Sequence, residues 1–219
     1  MRLLLIRHGH TVDNDGLIYS GQRDTPLTPR GERQADALAA RLASEPLAAL
    51  YTSDLARARA TAERIAGPHR VTPQLRPALR EIDMGAWAGK TYARLATEDA
   101  ERVAAWIRDP ERFAPLGGET AAHVRERVQQ TLQRQLHEHA TSSEAQRHVI
   151  AWVTHGGVIG VLLCDLLGIP TRERWRLHCD PGSITTLDLL VPPRHSGSRS
   201  PYDGSIHCLN DTAHLAPLR

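Results

Sequence analysis

The sequence predicts a three-layer α/β/α fold, a mostly parallel sheet with helices on both faces. Three observations predict it. Short apolar runs alternate with segments whose apolar residues recur at helical spacing. Glycine and proline breakers close several of these segments. Two apolar runs end directly in histidine-bearing turns, Arg7-His8-Gly9 and Thr154-His155-Gly156-Gly157. Strands end this way where an open α/β sheet presents its carboxyl ends to a ligand.

In chain order, Leu3–Ile6 is a continuous apolar run and reads as a buried strand. Thr28-Pro29-Arg30-Gly31-Glu32 opens a helix: Thr28 caps, Pro29 suits the first helical position, and Ala35, Leu38, Ala39 and Leu42 follow at helical spacing. Leu47–Thr52 reads as a second strand. Ser53 or Asp54 then caps a helix from about Leu55 to Ile65, which Gly67-Pro68 ends. From Trp87 to Leu116 the chain is polar, alanine-rich and helical in places, and it closes on the breaker cluster Pro115-Leu116-Gly117-Gly118. This stretch, about 86–118, reads as a small helical cap inserted in a single domain. A long helix spans roughly Thr120 to His139, with Val124, Val128, Leu132 and Leu136 every four residues. His148–Val153 is the third core strand, and Val158–Leu167 is an apolar helix closed by Gly168 and Pro170. Ile184–Val191 alternates like a strand, and His207–Leu209 is placed to pair with it. Pro192–Ser205, rich in Pro, Ser, Gly and Arg, reads as an exposed loop between them.

Composition narrows the function. The chain has 219 residues, 41% hydrophobic and 24% charged, as an ordinary globular domain does. A net charge of +2 gives no electrostatic reason to expect nucleic acid or an anionic membrane as partner. No apolar stretch approaches the roughly 20 residues that span a bilayer, and Leu3–Ile6 is too short for a signal-peptide core. Three cysteines, Cys164, Cys179 and Cys208, form no CxxC pair. A reduced, cytoplasmic protein is expected.

The chemistry sits at three strand ends. The first carries Arg7 and His8, the second is followed by Arg57 in the first turns of a helix, and the third carries His155. Parallel neighbouring strands would bring these four side chains together, with two helix N-termini beside them. Arginine forks, imidazoles and helix N-termini in one place describe a phosphate site. A neutral His8, with one ring nitrogen on a backbone carbonyl, can attack phosphorus. Glu81, in Leu79-Arg80-Glu81-Ile82-Asp83-Met84-Gly85, is the candidate general acid, and Asp83 its rival.

Taken together, these segments resemble the histidine phosphatase superfamily, phosphoglycerate mutase-like branch, along almost the whole chain. Arg7-His8-Gly9 with Thr11 and Asn14 is similar to the family's opening signature. Ser20-Gly21-Gln22, with Asp24-Thr25-Pro26-Leu27-Thr28 and Gly31, resembles the next block, part of which lines the substrate pocket. Ser53-Asp54-Leu55-Ala56-Arg57-Ala58 with Thr61-Ala62 resembles the block of the second phosphate arginine. Glu81 with Gly85 and Trp87-Ala88-Gly89 resembles the proton-donor block, and Thr154-His155-Gly156-Gly157 the block of the second histidine. Gly118-Glu119-Thr120 and Leu209-Asn210-Asp211-Thr212-Ala213-His214-Leu215 resemble features of the phosphatase members. His10 departs from the acidic residue or glutamine usual in the family at that position, and it is expected to affect the pocket's tuning more than the reaction.

The resemblance implies a phosphomonoester hydrolase with a phosphohistidine intermediate. His8, Glu81 and His155 would carry the reaction, while Arg7, Asn14, Arg57 and His155 bind the phosphoryl group. Ser20, Gly21, Gln22 and Gly156 would meet the substrate. No metal or cofactor is implied. The expected partner is a small phosphorylated metabolite, with a homodimer as the allowed assembly. Two rivals remain at this point: a 2,3-bisphosphoglycerate-dependent phosphoglycerate mutase, for which Arg94, Arg102, Arg108 and Arg112 in the cap could supply extra charge, and an inactive phosphate-binding or scaffold protein. Simpler roles are expected elsewhere. Arg59 and Arg64 read as solvated. His137 and His139 face different ways, and His178, Cys179 and Asp180 make a weak zinc case. The four tryptophans, Trp87, Trp106, Trp152 and Trp175, read as core or rim residues, with Trp87 and Trp106 the candidates for the pocket wall.

Overall fold

The computed structural model describes residues 1–140, 149–190 and 204–218. Its strands are β1 (Arg2–Arg7), β2 (Leu47–Thr52), β3 (Gln74–Leu75), β4 (Val149–Thr154), β5 (Ile184–Leu189) and β6 (Gly204–Asp211). They form one six-stranded sheet in the order β3-β2-β4-β1-β5-β6. The β3–β2, β2–β4 and β4–β1 pairs are parallel, and the β1–β5 and β5–β6 pairs are antiparallel. The sheet is therefore mostly parallel, as expected.

Helices α1 (Val12–Asp15), α2 (Pro29–Leu42), α3 (Ala56–Ala66), α4 (Tyr92–Glu98), α5 (Ala100–Arg108), α6 (Ala121–Ala140) and α7 (Gly156–Leu167) complete the layers. Side chains alternate across a strand, and the two faces of β1 and β4 fill two separate cores. Leu3, Leu5 and Trp152 join Val124, Val128 and Leu132 of α6 and the apolar face of α7. Leu4, Ile6, Ala151 and Val153 join Leu38 and Leu42 of α2 with Ala58, Ala62 and Ile65 of α3. Both faces of the sheet are thus covered, which is why β4 is buried along its whole length.

Most elements lie where periodicity put them, and the exceptions have physical causes. Thr28 caps α2, its hydroxyl accepting from the Gly31 amide. Neither Ser53 nor Asp54 caps α3: the Ala56 amide donates to Asp24 Oδ1 at 2.6 Å, while Asp54 pairs with Arg80. A side chain 32 positions away does the capping, which local patterning cannot show. The edge strand β3 has two exposed residues and no apolar alternation. Segment 86–118 contains α4 and α5, and Trp87 and Trp106 pack there edge to face at 5.5 Å. β6 begins at Gly204, so Ser205 is in a strand rather than the expected loop. The rest of that loop, and His148, lie outside the described residues. Among the described residues, no helix is long and apolar enough to cross a membrane.

Candidate active site

Strands β2, β4 and β1 are neighbours, and the register pairs Arg7 with Thr154 and Thr52 with Val153. The next residues, His8, His155 and Ser53, therefore leave the sheet side by side. The His8 and His155 rings lie 5.0 Å apart, tilted by 60°. Gly9 passes so close to the start of α2 that a Cβ on it would sit 2.4 Å from the Gly31 carbonyl oxygen. Its amide donates to Thr61 Oγ1 of α3 at 3.1 Å. Two blocks distant in sequence thus fix the turn that carries His8.

The hydrogen bonds set the state of His8. Its Nδ1 lies 2.7 Å from the Gly9 carbonyl oxygen, which can only accept, so Nδ1 carries the proton. Nε2 accepts from Arg57 Nε at 3.2 Å. Burial, then Arg57 and Arg7, hold the His8 pKa well below its usual value. His8 is a neutral imidazole with its lone pair on Nε2. His155 is fully buried, and its pKa is likewise lowered, by burial and then Arg57. Among the described residues, neither of its ring nitrogens nor Arg7 Nε has a hydrogen-bond partner, and all three are buried. Arg7 Nε and the protonated nitrogen of His155 are costly to leave so unless an acceptor arrives.

The arginines are held by backbone carbonyls. Arg57, 1% exposed, donates to the Arg23 oxygen at 2.7 Å and the Gly21 oxygen at 2.8 Å. Arg7 Nη1 donates to the Cys179 oxygen at 2.5 Å. Asn210 steadies that turn through the Asp180 amide and carboxylate, which gives the late Leu209–Leu215 block a physical role. Asn14 Oδ1 accepts from the Thr11 amide, leaving its amide nitrogen as the donor for an anion.

These groups open on a cavity of about 300 Å³, lined by Arg7, His8, Asn14, Ser20, Gly21, Arg57, Glu81 and Gly156 among others. Glu81 Oε1 accepts from the Ile82 amide at 2.9 Å and Oε2 from the Gly157 amide at 3.2 Å. Asp83 is absent from the lining and instead accepts from the Gly85 amide. Gln22 stands behind Glu81, donating to its carbonyl at 3.2 Å, and His155 stands behind His8. The helix N-termini differ from expectation: Ala56 N is taken by Asp24 and Gly157 N by Glu81. His10 is buried away from the cavity, bonded to Thr28 and Asp15 at 3.0 Å each.

Sequence reasoning missed part of the wall. Arg174 and Trp175, from the turn Thr171–Arg176, line the cavity with Tyr19, Met84, Leu177 and Trp106. Nothing in their spacing marked them. The arginines 94, 102 and 112 instead make surface pairs with Glu98, Asp99 and Asp109. Arg108 lines a different cavity. Among the described residues, no group of three or more His, Cys, Asp or Glu is arranged to hold a metal.

Residues 3–190 match the model of the histidine phosphatase superfamily, branch 1. The chain belongs to this family. Adenosylcobalamin/alpha-ribazole phosphatase of Escherichia coli strain K12 is 34% identical over 86% of this chain and 90% of its own. "Probable phosphoglycerate mutase GpmB" of Yersinia enterocolitica is 33% identical over 98% of this chain and 95% of its own. Among solved structures, the alpha-ribazole phosphatase of Shigella flexneri superposes with a TM-score of 0.78 at 31% identity, covering 96% of each chain. Mycobacterial glucosyl-3-phosphoglycerate phosphatase, in complex with VO3, gives 0.82 at 28% identity, over 95% of this chain and 98% of that one. Family members thus share the α/β architecture, and both phosphatase and mutase names occur among them.

Proposed function

We propose that the protein is a phosphomonoester hydrolase that passes the phosphoryl group through His8 to water. One observation carries this reading: a neutral imidazole with its Nε2 lone pair toward Arg57, beside the buried N–H groups of Arg7 Nε and of His155, which find no acceptor among the described residues. An entering phosphate supplies those acceptors. Its oxygens take over the Arg57 Nε–H that Nε2 holds at rest and meet Arg7 and Asn14 in the cavity, and the ring N–H of a neutral His155, behind His8, has no other acceptor among the described residues.

Nε2 then attacks phosphorus, the ester P–O bond breaks, and the Glu81 carboxyl gives its proton to the departing alkoxide. Water next loses a proton to the Glu81 carboxylate and attacks the phosphohistidine. The P–N bond breaks, its electron pair returns to Nε2, and phosphate leaves. The backbone amides of Ile82 and Gly157 hold Glu81 in place. Ser20, Gly21 and Gly156 form the rim toward the alcohol, with Gln22 as a strut. Segment 86–118 acts as the cap of a single domain, contributing Trp106 to the wall. The substrate is a small phosphorylated metabolite, as the names of the relatives imply for those proteins. The setting is a reducing cytoplasm, consistent with the free Cys164, Cys179 and Cys208.

The mutase reading needs a bisphosphate held over the pocket, with more cations there. The arginines of segment 86–118 do not line the cavity, which favours the hydrolase. Incubation with 3-phosphoglycerate, with and without 2,3-bisphosphoglycerate, tests this. Phosphate release is expected; bisphosphate-stimulated formation of 2-phosphoglycerate outrunning it would overturn the reading.

A further inference from the structure

Arg174 is a cation that the reaction at His8 does not use. It is 4% exposed, and it lines the same cavity as His8. Its guanidinium carbon sits 4.6 Å from the Trp106 ring centroid and 4.2 Å from that of Trp175. Nη1 donates to the Thr171 oxygen at 3.2 Å, and Nη2 is buried with no partner among the described residues. Burial lowers its pKa to about 10, so it remains charged at neutral pH. Among the described residues, no carboxylate lies within ion-pair distance of it. The two indoles fix the guanidinium through cation–π contact but do not neutralise it. The carboxylates of Glu81 and Glu111 act on it only from beyond ion-pair distance; a buried charge so weakly compensated is costly, and this one lines the cavity on which His8 opens. Trp175 is itself 55% exposed.

We propose that Arg174 is a specificity-determining residue that binds a second oxyanion, carboxylate or phosphate, on the alcohol portion of the substrate. This rests on the hydrolase reading above and narrows it: the substrate is a phosphomonoester whose alcohol is itself anionic. Tyr19, Trp106, Trp175 and Leu177 form the apolar and aromatic wall around that group. The fork geometry of arginine suits either oxyanion.

Matched substrates test the assignment: 3-phosphoglycerate against glycerol 3-phosphate, and fructose 1,6-bisphosphate against fructose 6-phosphate. In the wild-type protein, kcat/KM should be roughly 10- to 100-fold higher for the more anionic member, the range expected for a charge-assisted hydrogen bond. A preference in the first pair alone identifies a carboxylate, and in the second alone a phosphate. Equal values in both pairs overturn the proposal without any variant being made. Arg174→Met should collapse the ratio toward one, and Arg174→Lys should retain part of it; a ratio that survives in Arg174→Met also overturns the assignment. Hydrolysis of p-nitrophenyl phosphate by the wild-type protein separates the two readings. Failure there sinks the hydrolase itself, whereas turnover without discrimination sinks only the role of Arg174.

Discussion

Replacing Gly157 by alanine would put a methyl group where Glu81 now sits. The new Cβ would lie 2.4 Å from Glu81 Oε1, with Ile82 Cδ1 and Cγ1 at 2.9 and 3.0 Å, whereas ordinary contact begins at 3.4 Å. The carboxyl must therefore retreat by about 1 Å, and Ile82 crowds the space around it. A misplacement of about 1 Å in a reacting group costs on the order of 10²-fold in rate. Two effects on stability oppose each other. Gly157 lies in the first turn of α7, and exchanging glycine for alanine in a helix gains up to about 1 kcal/mol. Crowding the buried Ile82 costs about 1–3 kcal/mol, so the expected variant is folded, with an unchanged or modestly lowered Tm. Its kcat/KM should fall about 10²-fold on glycerol 3-phosphate and much less on p-nitrophenyl phosphate, whose leaving group needs little protonation. Equal losses on the two substrates, in a protein that is folded at the assay temperature, would refute the placement of the proton donor at Glu81.

Two further outcomes follow from the site. Glu81→Gln should lose far more rate on alkyl than on aryl phosphates, while Asp83→Asn, altered outside the cavity, should not change that ratio; the reverse pattern would reassign the acid. Stability should fall with acid, because burial and Arg57 hold the folded pKa values of His8 and His155 well below the usual 6.5. The unfolded chain then binds protons that the folded chain refuses. Stability is fully present above about pH 6.5 and is lost as pH falls toward the folded values, by up to about 1.4 kcal/mol per unit for each histidine. Urea midpoints measured from pH 7 to pH 5 check this, and a flat profile would contradict it.

Strands and helices with strong periodicity were legible because each buries one face or both. Leu3–Ile6, Leu47–Thr52 and the α6 stripe of Val124, Val128 and Leu132 are examples. The convergence of Arg7, His8, Arg57 and His155 was legible too, since parallel neighbouring strands oblige it. What stayed hidden depends on contacts between distant segments. Asp24 caps α3 across 32 positions, Glu81 occupies the α7 amide that seemed reserved for phosphate, and Gln22 braces Glu81 rather than lining the cavity. The structure shows that the group approaching Gly157 is the Glu81 carboxylate. Arg174 and Trp175 carry no motif, and only the fold brings them to the pocket.

The central claim is that His8 Nε2 carries the phosphoryl group during turnover. Rapid quenching of the protein with ³²P-labelled substrate, followed by peptide mapping, tests it directly. The account predicts a transient adduct, labile in acid and stable in base, on the peptide containing His8, and its absence in His8→Ala. A label on any other residue, or full turnover by His8→Ala, would contradict it.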